Sequence, residues 1–147
     1  MELIVIGIII AIALLIQIPA ELKSRRLMRR YWSRPCTGFK WKRRFPEASK
    51  ESIREFLDLF LDAFMLGTDK RLKFAPDDKI NDVYRIIYPP NAPFRADALE
   101  HSFLISGLEE KYGIDFTTNI ENPNVTLGQL FEMARNHNNN NSLNTGN

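Results

Sequence analysis

The chain of 147 residues carries a single cysteine, Cys36. One thiol excludes an intramolecular disulfide. With no Cys or His ligand set near it, it also excludes a zinc site of ordinary spacing. A reduced thiol or a lipid attachment point beside a membrane remains. Histidine is nearly as scarce, with only His101 and His137. There is no glycine-rich phosphate loop. Asp77, Asp78 and Asp82 lack the spacing of a Ca²⁺ loop, so no metal is expected. His101 and Ser102 are helix neighbours and point apart, so they make no nucleophile pair. A nucleophile, base and electrophile cannot be assembled from what is present, and no enzymatic activity is expected. No segment alternates with the period of two that marks a strand.

Acidic residues are scarce at the start and abundant afterwards. Residues 1–45 hold ten Lys/Arg against two Asp/Glu, and residues 46–147 hold ten against sixteen. The first part suits an anionic surface, and the second repels nucleic acid and attracts basic partners. Charge is absent altogether from "LIVIGIIIAIALLIQI", Leu3–Ile18. With its flanks this run approaches the roughly 17–25 residues that span ~30 Å of hydrocarbon. The basic residues follow it and no cleavage signal is evident. The expectation is therefore a transmembrane anchor over 1–20, with the N-terminus outside and the rest in the cytoplasm, as at a bacterial inner membrane. Residues 21–45 interleave Tyr31, Trp32, Phe39, Trp41 and Phe45 with cations. They are expected to form a juxtamembrane collar that meets lipid headgroups through Arg25, Arg26, Arg29, Arg30, Trp32 and Trp41.

Helical spacing dominates the remainder. Ser49 predicts a helix start, and Gly67 a stop. Between them Ile53, Phe56, Leu57, Phe60, Leu61, Phe64 and Met65 form one apolar stripe. Residues 68–75 read as a polar loop. "PDDKINDVYRIIY" predicts a short helix buried through Ile80, Val83, Tyr84 and Ile87, with Asp77 and Asp78 at its positive end. A helix over about 97–112 follows, capped by Asp97 and ended by Gly113, with Leu104, Leu108 and Tyr112 as its ridge. Thr126 and Gln129 have capping-box spacing before a last helix buried through Leu127, Leu130, Phe131 and Ala134. Residues 136–147 are Asn-rich with little to bury, and a disordered tail is expected there. The fold class expected is all-α: a small helical bundle over 46–135 behind the anchor.

Residues 97–116 carry a resemblance. Asp97-Ala98-Leu99-Glu100, then Leu108-Glu109-Glu110-Lys111-Tyr112, then Asp115-Phe116, is similar to the acyl carrier protein family. That family carries D-S-L-(D/E), a helix ending L-E-E-(E/K)-(F/Y), and an acidic-apolar pair. The resemblance covers about 48–135 and implies an up-and-down bundle of three longer helices and one short one. The family bears acyl groups on a phosphopantetheine arm esterified to the serine of D-S-L. Here that position is Ala98, whose methyl group cannot form the phosphodiester, so no phosphopantetheine or other cofactor is expected. Phe103 stands where carriers have an acidic residue. It either makes the partner-facing side stickier or packs on the Pro89–Phe94 loop.

The function these features imply is non-covalent docking. Asp97, Leu99, Glu100 and Phe103 would present themselves to a basic patch on a protein partner, in keeping with lipid or acyl metabolism. The rivals are a genuine carrier modified at another serine, Ser102 or Ser106, and a structural subunit of a membrane complex.

Overall fold

Residues 5–8, 26–88, 99–113, 115 and 122–144 are described by the computed structural model. Helices make up the named elements in chain order: α1 (26–32), α2 (Gly38–Arg44), α3 (Lys50–Ala63), a 3-10 helix (Thr68–Lys73), α4 (Ile80–Ile87), α5 (Leu99–Tyr112) and α6 (Leu127–Asn144). Among the described residues the single β feature is an isolated antiparallel bridge between Lys79 and Thr126.

Local chemistry sets the helix ends. The Ser49 hydroxyl accepts the Ser52 N–H at 3.0 Å and caps α3. At the other end the Leu66 N–H reaches the Leu61 carbonyl (2.8 Å) and the Met65 N–H reaches Asp62 (3.1 Å). This is a Schellman closure, whose C′ residue must be left-handed. Met65 takes that place with φ 53°, and Gly67, the expected stop, is ordinary at φ −66°. The reversal turns Met65 out of the apolar stripe in which it was expected, and it is 81% exposed. The rest of the stripe is buried as its spacing predicts.

α5 runs antiparallel to α3. Lys111 pairs with Glu55 at 2.8 Å, Gly107 lies against Leu59, and His101 meets the Phe64 ring. Leu104, Leu108 and Tyr112 are buried, and Gly113 closes the helix at φ 70°. α6 opens with reciprocal bonds. The Thr126 N–H donates to Gln129 Oε1 (2.9 Å), and the Gln129 N–H donates to Thr126 Oγ1 (3.3 Å). Gly128 then approaches Pro76 so closely that a Cβ would lie 2.9 Å from the Pro76 carbonyl oxygen. α6 continues to Asn144, through the Asn-rich stretch expected to be disordered. Once its first turns are packed, each added residue gains a hydrogen bond without a new nucleus.

The basic segment departs most from expectation. Tyr31, Trp41 and Phe45 join the core, as does Met28. Trp41 stacks among Phe45, Phe56 and Phe131 with centroids 5.6–6.2 Å apart, and its Nε1 donates to the Phe74 carbonyl at 2.8 Å. Tyr31 stacks on Phe74 at 5.2 Å. Thr37 clasps the same strip, its hydroxyl bonding the Leu72 and Phe74 carbonyls. The aspartates of the following loop answer the arginines. Arg34 grips both Asp78 oxygens (2.8 and 2.7 Å), and Arg44 meets Asp77 at 2.7 Å. Asp77 and Asp78 therefore do not cap α4, which begins at Ile80 after Lys79. Within the stretch expected as a lipid collar, Tyr31, Trp41 and Phe45 find a dry protein surface and Arg34 and Arg44 find fixed carboxylates, while Phe39 is 74% exposed.

The expected membrane anchor is corrected as well. Among the described residues no helix is long and apolar enough to cross a membrane. Of the stretch 1–20, residues 5–8 are described and helical. The single-pass placement, N-terminus outside and domain in the cytoplasm, is corrected with it, since among the described residues it has no spanning helix to rest on.

Candidate functional site

The start of α5 and the end of α3 form one end of the antiparallel pair. Leu99 (53%) and Phe103 (56%) are exposed there, one helical turn apart. The antiparallel register brings Met65, at the end of α3, to the same end. Phe103 thus faces outward, and the Pro89–Phe94 loop, its alternative partner, lies outside the described residues. Ser102 and Ser106 are exposed on neighbouring positions of the same helix.

Glu100 behaves oppositely. It is only 6% exposed, one of the most buried polar residues described. Tyr88, just past the end of α4, hydrogen-bonds to it. Burial pushes the Tyr88 hydroxyl well above its usual range, and the Glu100 bond and charge push the same way, so Tyr88 is the donor at neutral pH. Glu100 Oε2 has no hydrogen-bond partner among the described residues. The expected role of Glu100 as an outward docking charge is corrected: its carboxylate points into the α4–α5 junction. The helix turn that places Leu99 and Phe103 outside rotates position 100 inward.

His101 completes this junction. Its ring lies 4.5 Å from Tyr84 at 33° and meets Phe64 edge-on at 6.2 Å. Burial lowers the imidazole pKa, and the nearby Glu100 charge opposes the shift without reversing it. The imidazole is therefore neutral at pH 7, and Nε2 has no hydrogen-bond partner among the described residues. An aromatic wall is what this histidine supplies, and Ser102 beside it is directed to solvent.

Asp97 and Ala98 lie outside the described residues, as does Arg25. Arg26, Arg29 and Arg30 are exposed, with the Arg30 guanidinium 5.0 Å above the Tyr31 ring. Trp32 is half-buried, edge-on to Phe74 at 5.7 Å. Trp41 has no exposed surface and cannot meet a headgroup. Sequence reasoning missed Met65, Tyr84 and Tyr88 at this end of the bundle. The signal for Met65 was an apolar residue directly before the Leu66-Gly67 break. Spacing marked Tyr84 only as part of the buried stripe of α4, and nothing local marked Tyr88, since the partners of both arrive from another helix. No family model, curated protein or solved structure matches the chain.

Proposed function

We propose that this chain is a non-covalent docking module. It is an acyl-carrier-like helical domain without a prosthetic arm, which presents the start of α5 to a protein partner. One observation carries the reading. Leu99 and Phe103 are exposed on successive turns of a helix whose other large apolar residues are buried or half-buried. Exposed aromatic and aliphatic side chains grouped in this way are the usual anchors of an interface. The sequence supports the absence of an arm, since the Ala98 methyl group offers no oxygen to a phosphodiester. The acidic excess of residues 46–147 favours a partner with a basic patch around an apolar cleft. The resemblance points to an enzyme of lipid or acyl metabolism as that partner.

A photo-crosslinking residue at position 103 tests the docking surface. It should yield one discrete adduct in cells, and Leu99→Asp or Met65→Asp should abolish it. The same probe at Phe39, exposed on α2, should not give that adduct. Indistinguishable adducts from both positions, or one insensitive to Leu99→Asp, would sink the reading.

A genuine carrier modified elsewhere is favoured by the exposed hydroxyls of Ser102 and Ser106. Incubation with a phosphopantetheinyl transferase and coenzyme A decides between the two. The intact mass should stay unchanged, and a gain of one arm would establish the carrier.

A further inference from the structure

Away from α5, a cavity of about 200 Å³ opens between α2, the first turns of α3 and the 3-10 helix. Its walls are Trp41, Ile53 and Leu72, with Gly38 leaving space where a side chain would stand. A Cβ on Gly38 would touch only Cys36 Sγ (3.5 Å) and Leu72 (3.9 Å). Three cations line the rest: Lys42, Lys50 and Arg54. Lys50 and Arg54 are four residues apart and share one face of α3.

Five cations elsewhere are neutralised by ion pairs, and among the described residues those lining the cavity are not. Arg34, Arg44, Lys70, Arg71 and Lys111 each hold a carboxylate. Among the described residues Lys50 and Arg54 hold none, although Glu47 and Glu51 are close in sequence. Lys42 donates to the Pro46 and Ala48 carbonyls, which fixes its ammonium without neutralising it. The N-terminal turn of α3 adds the positive end of a helix dipole. An apolar hollow walled by a tryptophan and ringed by uncompensated positive charge suits a ligand with both an apolar body and an anionic head. The volume exceeds the ~150 Å³ void known to admit benzene, so one ring or a short alkyl chain fits.

We propose that this cavity binds a small amphiphilic carboxylate. Its body enters at Leu72 and the space beside Gly38, over the buried Trp41 and Ile53, its carboxylate meets Lys50 and Arg54, and Lys42 holds the rim. The site is separate from the α5 docking surface and stands or falls independently of it.

Octanoate is the probe, titrated into the full chain carrying Trp32→Phe, so that Trp41 is the remaining tryptophan. Emission and calorimetry are followed together. Octanoate should bind saturably, octanol more weakly, and acetate not at all. Lys50→Gln/Arg54→Gln should weaken octanoate about tenfold, the sum of two modest exposed charge contacts, and leave octanol unchanged. Gly38→Leu should remove both ligands by filling the hollow. Both altered residues of the double variant are exposed, and far-UV circular dichroism checks each fold. Absence of saturable octanoate binding overturns the proposal. So does octanol binding as tightly as octanoate, a double variant within twofold of the parent, or a folded Gly38→Leu protein that still binds octanoate.

Discussion

Tyr112 closes the buried ridge of α5, and its hydroxyl titrates differently in the folded and unfolded chain. Burial, reinforced by the Glu55 carboxylate, pushes its pKa from the usual 10 up to about 12. A raised pKa means that the folded state holds the proton more tightly. The associated stability is present below pH 10 and is lost as pH rises toward 12. Unfolding followed by circular dichroism should show a steep alkaline loss across that window, and Tyr112→Phe should flatten it. An unchanged alkaline limb in the variant would assign the loss to another group. Tyr112 was legible in advance from its place in the i, i+4, i+8 ridge. Glu100 was not. A charged residue in a first helical turn is usually solvated, and the partner it meets, Tyr88, lies beyond the end of another helix. Ala98 stands between these cases, since its chemistry follows from its identity alone.

Helix ends separate into those written locally and those imposed from elsewhere. Ser49 and the Thr126–Gln129 pair bond to backbone groups within three residues, so spacing predicts them. The end of α3 is imposed. Burial of Phe64 and the closure onto Leu61 leave Met65 in a left-handed conformation that costs a side-chain-bearing residue about 1–2 kcal/mol. Met65→Gly should therefore stabilise the fold by about 1 kcal/mol, part of the gain being offset by glycine's greater freedom when unfolded. Urea denaturation would show this as a higher midpoint at constant slope. A lower midpoint would mean that the exposed methionine makes contacts worth more than the strain. The start of α4 was misjudged for a related reason. Asp77 and Asp78 suit a helix N-terminus, but Arg34 and Arg44 offer them full charges.

The core of the molecule reaches from Met28 to Ala134, so residues 26–45 belong to the bundle. Trp41 touches Phe45, Phe56 and Phe131 and also bonds to the Phe74 carbonyl. Trp41→Ala should cost roughly 3–5 kcal/mol, as large-to-small changes in a packed core do. A chain lacking residues 1–45 should lose cooperative thermal unfolding, because Phe56, Phe74 and Phe131 would lose a wall. A sharp transition in that truncated chain would show that the bundle closes without its basic segment.

The apolar periodicity of α3 and α6, their amino-terminal caps, the Gly113 stop and the all-helical class were set by the amino-acid order. Each depends on groups a turn or two apart. Tertiary structure decided the rest. Alternating rings and cations look the same whether the rings meet lipid or protein, and the partners that resolve this for Trp41, Phe74 and Phe131, lie some 30 and 90 residues away. On α5 the i, i+4, i+8 spacing marked Leu104, Leu108 and Tyr112 as the buried ridge. What spacing did not choose was the flank of that ridge, where the tertiary packing turned Glu100 inward and left Leu99 and Phe103 outside.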